Sequence, residues 1–133
     1  MSDTINSPIS NRTEECSALE AIKLAAAAAD DKKGLQIVAL NVYDLTTIAD
    51  YFLFVTATSR THVQAINQAI DEAMSKAGRE PLQVEGRQEG QWILMDYADV
   101  IIHIFLGEQR EFYGLERLWG DAPQVDLSLT PND

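Results

Sequence analysis

Apolar positions along the chain alternate between two spacings, one helical and one extended. Leu19, Ile22 and Ala26 mark one side of a helical repeat, and residues 25–29, all alanine, favour helix strongly. Thr13 is placed to cap this helix, with Glu14 and Glu15 favourable at the positive end of its dipole. Lys32-Lys33-Gly34 supply a cationic last turn and a stop. The period then shortens. Residues 37–42 read as a strand, 44–47 as a turn, and 51–56 as a central strand, apolar on both faces and therefore covered on both sides. Helical spacing returns after Thr58 or Ser59, either of which can cap. Val63, Ile66, Ile70 and Met74 form its apolar stripe, Glu72 and Lys76 an i,i+4 pair, and Gly78 its end.

Short extended runs follow at 82–84, 92–97 and 100–105, separated by turns at 88–90 and 98–99. A last helix is predicted from Glu108 to Trp119, with Phe112, Leu115 and Trp119 on one face. Residues 1–12 read as a mobile lead-in and 120–133 as a fraying acidic tail, leaving a single domain over 13–119. The element order α-β-β-α-β-β-β-α predicts an α/β fold with a mixed five-stranded sheet flanked by helices. The sheet must be mixed because the last strands are joined by hairpins too short for parallel crossovers.

At 133 residues and 46% hydrophobic content, the chain has enough apolar material for one core. No apolar run nears the roughly 20 residues that span a bilayer, so no membrane association is expected. Before Lys23 the only basic residue is Arg12, which argues against a signal or transit segment. The single cysteine, Cys16, excludes an internal disulfide, and a reducing, cytoplasmic setting suits the chain. Net charge is −11. Phosphate repels such a chain at long range, so charge-driven DNA or RNA binding is not expected. A basic protein is the complementary partner, although acidity also serves dispersal in water.

Motifs for chemistry are sparse. Neither GxxxxGK[ST] nor GxGxxG occurs, and Cys16, His62 and His103 are scattered over three elements, so no metal or cofactor is expected. Asp96 and Asp99 are spaced by three with a turn between them. Acids that hold magnesium on one strand sit at i and i+2. An enzymatic alternative, nucleotide binding or nucleotidyl transfer, would use these acids with the Thr58-Ser59 loop. His103, flanked by Ile101 and Phe105, reads either as a buried imidazole bonded to a carboxylate such as Asp96, or as a polar anchor in an interface. Trp92, Tyr113 and Trp119 divide in the same way between core and hot spot, and Arg110 between surface ion pair and docking residue. Glu85-Gly86 reads as a strand end with positive φ at the glycine.

Taken together, Glu85-Gly86, Trp92, Asp96, Asp99-Val100, His103, Arg110, Tyr113, Leu115-Glu116 and Leu118-Trp119 resemble the ribosomal silencing factor, or iojap, family. Asp50-Tyr51 and the run Thr58-Ser59-Arg60-Thr61-His62-Val63 fit it too, so the resemblance covers roughly residues 15–119. Ala57 and Ala98 stand where the family usually has glycine, which bears on loop geometry. The resemblance implies a nucleotidyltransferase-like fold without the catalytic acids and a non-enzymatic translational repressor. It further implies binding to the large ribosomal subunit through its fourteenth protein, steric blocking of subunit joining, and lower translation when nutrients are scarce. Glu85, Trp92, Asp96, His103 and Arg110 are the partner-binding residues expected under this reading. A homodimer of the free protein is a third possibility.

Overall fold

The computed structural model describes residues 16–107 and 119–129. The lead-in, Thr13, Glu14 and Glu15, the expected helix over 108–118 with Arg110, Phe112, Tyr113 and Leu115, and residues 130–133 lie outside the described residues. Helix α1 spans Ala18–Asp31 and begins on a capping box. Ser17 Oγ accepts from Glu20 N at 3.2 Å while Glu20 Oε1 accepts from Ser17 N at 2.9 Å. The cap of this helix is thus Ser17. The buried side is Ala21, Ile22, Ala25, Ala26 and Ala29, whereas Leu19 is 39% exposed. Short side chains let the α1 backbone lie close to its neighbours, so the alanines, not Leu19, define the contact.

The end of α1 also differs from expectation. Gly34 N donates to Ala29 O and Lys33 N to Asp30 O, both at 2.9 Å, which is the Schellman pattern with Lys33 as the left-handed residue at φ 67°. Gly34 is needed for space instead. A Cβ there would stand 2.8 Å from Val55 Cγ1 and 3.0 Å from Ala29 O.

Helix α2, Arg60–Lys76, is capped by Ser59, whose Oγ accepts from His62 N at 3.1 Å. Val63, Ile66, Ile70 and Met74 are fully buried, as their spacing predicts. Glu72, expected to pair with Lys76, instead accepts from Gln68 Nε2 at 3.3 Å. Gly78, at φ 84°, closes this helix. His62 ties the two helices together. Its Nδ1 accepts from Thr58 N at 2.9 Å, which leaves Nε2–H to donate to Lys32 O at 2.8 Å.

The strands are β1 Leu35–Asn41, β2 Tyr51–Ala57, β3 Gln83–Glu85, β4 Trp92–Asp96 and β5 Val100–Leu106. They form one sheet in the order β1-β2-β5-β4-β3, in which β2 and β5 are parallel and every other pair antiparallel. The mixed five-stranded sheet agrees with the sequence pattern. β1 starts earlier than expected, with a register shift between Leu35 and Val38. There Gln36 adopts φ 49° and its Oε1 accepts from Thr56 Oγ1 at 3.1 Å.

Residues 120–129, expected to fray, line the outer edge of β1. Asn41 N donates to Pro123 O and Val125 N to Ala39 O, each at 2.8 Å, around a Leu40–Gln124 bridge. Ala122 is buried, and Val125, Leu127 and Leu129 pack against the core. Val125, Leu127 and Leu129 alternate with Asp126 and Ser128, the period of an extended segment, and the segment covers a sheet edge that would otherwise expose unpaired backbone.

The sheet separates two apolar clusters. On one face Leu53, Val55, Ile93, Met95, Ile102 and Ile104 meet α1 and α2. On the other lie Leu40, Phe52, Phe54, Ile101 and Phe105, with Trp92, Leu94 and Trp119 partly buried against them.

Candidate functional site

Strand register decides which side chains share the second face, because alternate residues point the same way and paired residues point together. One row across the sheet runs Val38, Phe54, His103, Leu94, Glu85; a second runs Leu40, Phe52, Ile101, Asp96, Gln83; Phe105 and Trp92 form a third. Four of the five residues singled out in the sequence, Glu85, Trp92, Asp96 and His103, therefore lie on a single face. Arg110 lies outside the described residues. Glu85 is exposed, Trp92, Leu94 and Asp96 are partly exposed, and His103 is buried, at 7% exposure.

His103 is the centre of an aromatic layer. Its imidazole lies parallel to Phe54, with centroids 5.2 Å apart, and to Phe105 at 5.8 Å, while the edge of Phe52 meets it at 6.0 Å. The Trp92 indole stacks on Phe105 at 5.3 Å, and Trp119 packs edge-on to Phe52 at 5.1 Å. The hydrogen-bond partner of His103 is not Asp96. Trp92 Nε1–H donates to His103 Nδ1 at 3.1 Å, which places the imidazole proton on Nε2. Burial pushes the imidazole down to about 4, so it is neutral at physiological pH. Asp96 Oδ1 accepts instead from Ala98 N at 2.8 Å and shapes the turn into β5. Ala98 holds φ 76° in that turn, a left-handed position where glycine is less strained.

Glu85 and Trp92 are brought together by Gly86, which has φ 89°. A Cβ at Gly86 would fall 2.0 Å from Trp92 O, so only glycine lets β3 close against the start of β4. The loop between them is pinned to α2, where Arg87 Nε donates to Asn67 Oδ1 at 3.1 Å and Gln64 Nε2 donates to Arg87 O.

The residues of the enzymatic alternative do not converge. Arg79 grips Asp99 through two bonds, of 2.8 and 3.1 Å, and the same guanidinium binds Cys16 O. The bond to Asp99 raises Arg79 above its ordinary range. Asp99 O accepts from Asp50 N and Tyr51 N at the start of β2, whereas Thr58-Ser59 follow its end. The length of a seven-residue strand, about 20 Å, separates the two. Among the described residues no three His, Cys, Asp or Glu side chains group as metal ligands, and no helix is long and apolar enough to cross a membrane.

The sequence pattern missed one feature. Between β1 and β2, Tyr43, Leu45 and Ile48 are 66%, 48% and 62% exposed on a loop held by bonds from Tyr43 N to Asn41 Oδ1 and from Ile48 N to Thr46 Oγ1. Val42 and Ala49, at its base, belong to the aromatic-face cluster. The available signal was three large apolar residues in and beside the turn at 44–47.

The family model described as ribosomal silencing factor during starvation matches residues 15–133. The chain is similar to the ribosomal silencing factor RsfS of Halalkalibacterium halodurans, 43% identical over 81% of this chain and 92% of that one. It is also similar to RsfS of Bacillus subtilis, 41% identical over 84% and 94% of the two chains. A crystal structure of a Chromobacterium violaceum protein superposes with a TM-score of 0.77 at 30% identity, covering 86% of this chain and 94% of the other. Fold, family match and relatives agree: the chain belongs to the ribosomal silencing factor family.

Proposed function

We propose that this protein is a non-catalytic translational repressor that acts in the cytoplasm. It binds the large ribosomal subunit through a basic protein, the fourteenth of that subunit, and sterically prevents the small subunit from joining. The observation that carries the reading is the gathering of Glu85, Trp92, Asp96 and Leu94, none of them buried, around an aromatic layer on one face of the sheet. Interfaces draw their energy from aromatic anchors surrounded by polar rims, and this face has both. Its acids, with the net charge of −11, suit a basic partner and disfavour bare RNA. The apolar loop of Tyr43, Leu45 and Ile48 extends the surface at one end.

Occlusion needs no chemistry. A domain seated where a bridge between subunits must form is sufficient, which suits a chain whose candidate acids are committed to an ion pair and a turn. The test is sedimentation with isolated large subunits, isolated small subunits and joined ribosomes. The protein should travel with free large subunits, and pre-incubation should lower the yield of joined particles. Equal binding to both subunits, or joining that proceeds undisturbed, would overturn the reading.

A further inference from the structure

We propose that His103 is a positioning residue, which from within the aromatic layer fixes the Trp92 indole in the orientation the partner protein binds. The inference rests on the reading above, that Trp92 meets the partner. His103 is itself too buried, at 7% exposure, to be a contact. What it can do is act through its neighbour. Trp92 stands opposite Phe105 in the register, and His103 opposite Leu94, so the 3.1 Å bond from Trp92 Nε1 to His103 Nδ1 runs diagonally between β4 and β5.

The acceptor cannot turn away. Phe54 lies parallel to the imidazole at 5.2 Å and Phe105 at 5.8 Å, both within 10° of its plane, while Phe52 abuts it edge-on. A tryptophan on a strand has a broad, roughly two-fold choice about χ2, and stacking between flat rings does not of itself separate the two settings. A fixed acceptor on one side does, because the other setting forfeits the bond. Nδ1 remains unprotonated across the neutral range because burial opposes the charged ring. A carboxylate in the same place would bring a charge into an apolar layer, and a phenylalanine would pack without selecting an orientation. Holding an interface aromatic in its bound geometry lowers the entropy lost on association.

The test uses the full chain labelled with nitrogen-15, whose two tryptophans give two indole cross-peaks. His103→Phe keeps a flat ring in the layer and removes the acceptor. It should move the Trp92 indole resonance and weaken binding to free large subunits about tenfold. His103→Asn, whose amide oxygen can occupy the Nδ1 position, should restore the resonance and most of the affinity. Trp92→Phe removes the bond together with part of the contact, so it should lose at least as much affinity as His103→Phe, and the double variant no more than Trp92→Phe alone. Wild-type affinity in His103→Phe, beside lost affinity in Trp92→Ala, would overturn the positioning role and leave the binding face standing. Wild-type affinity in Trp92→Ala would instead overturn the binding face and this inference with it. Should His103→Phe fail to fold, His103→Asn decides alone. A lost indole resonance with unchanged affinity refutes the role, and a kept resonance with kept affinity supports it.

Discussion

The two faces of the sheet are built from different materials. Beneath the helices the contacts, Tyr97 apart, are largely aliphatic: alanines and one isoleucine from α1, branched residues and Met74 from α2, and Leu53, Val55, Ile93, Met95, Ile102 and Ile104 from the strands. Across the sheet the layer is aromatic, with a neutral imidazole bonded to an indole and partly exposed residues around it. Aliphatic side chains interdigitate without direction, so the helix face supplies burial and little else. Flat rings with polar tips impose orientation, so the aromatic face carries geometry as well as burial. Under the function proposed above, the contrast is a division of labour, with stability set mainly by one face and recognition mainly by the other.

The strongest way to break that division is to truncate each face and compare. Ile66 is fully buried under α2, and Ile66→Ala should cost about 3 kcal/mol in urea unfolding. Binding to large subunits should be unchanged where the variant remains folded. Acid should strike the other face. His103 takes up its proton at about 4 in the folded chain, against 6.5 unfolded, so between those values the unfolded state binds the extra proton. The corresponding stability is whole above pH 6.5 and falls as pH drops toward 4, by about 3 kcal/mol. His103→Phe should flatten that part of the pH profile. An unchanged slope would show that another group takes up the acid proton. Trp92→Ala should weaken ribosome binding by about 2 kcal/mol, while its unfolding curve shifts less than that of Ile66→Ala. A larger stability loss than in Ile66→Ala would make Trp92 a core residue and dissolve the contrast between the faces.

Much of this was legible in the chain itself. The stripe Val63, Ile66, Ile70, Met74 and the apolar run at 51–56 lie where their periods predict, because burial on a fixed lattice of side chains leaves a repeat in the sequence. Register placed Glu85, Trp92, Asp96 and His103 on one face, yet the sequence alone offered Asp96 as the histidine's partner. The bond to Trp92 is diagonal across two strands and leaves no spacing to read. At the C-terminus of α1 the stop falls at Lys32-Lys33-Gly34 as expected, but the glycine has a different part in it. Lys33 takes the left-handed position that Gly78 takes after α2, while Gly34 is required by the approach of Val55, a contact distant in sequence. The segment after Trp119 carries an extended alternation at Val125, Leu127 and Leu129, and its pairing with the edge of β1 is the long-range contact that the expectation of a fraying tail left out. Local chemistry writes itself into sequence, and tertiary contact largely does not.

The smallest expected effect concerns a polar group on the helix face. Tyr97 is 5% exposed, and among the described residues its hydroxyl has no hydrogen-bond partner, in contrast with the bonded imidazole across the sheet. A buried hydroxyl without a partner forfeits its hydration, so removing it should help. Tyr97→Phe should raise stability by up to about 1 kcal/mol at pH 7, with ribosome binding unaltered. The pH dependence supplies a second reading of the same atom. Burial, followed by Asp71 and Glu80, pushes the Tyr97 phenol well above its ordinary 10. Above pH 10 the unfolded chain releases that proton while the folded chain keeps it, so wild-type stability declines as pH rises. Tyr97→Phe removes the titrating group, and its lead over the wild type should widen in alkali. Urea unfolding of both chains at pH 7 and pH 10.5 decides the matter. A variant less stable at pH 7 would mean that the hydroxyl is satisfied by water in solution, and the helix face would then hold a polar bond as necessary to it as the Trp92–His103 bond is to the other.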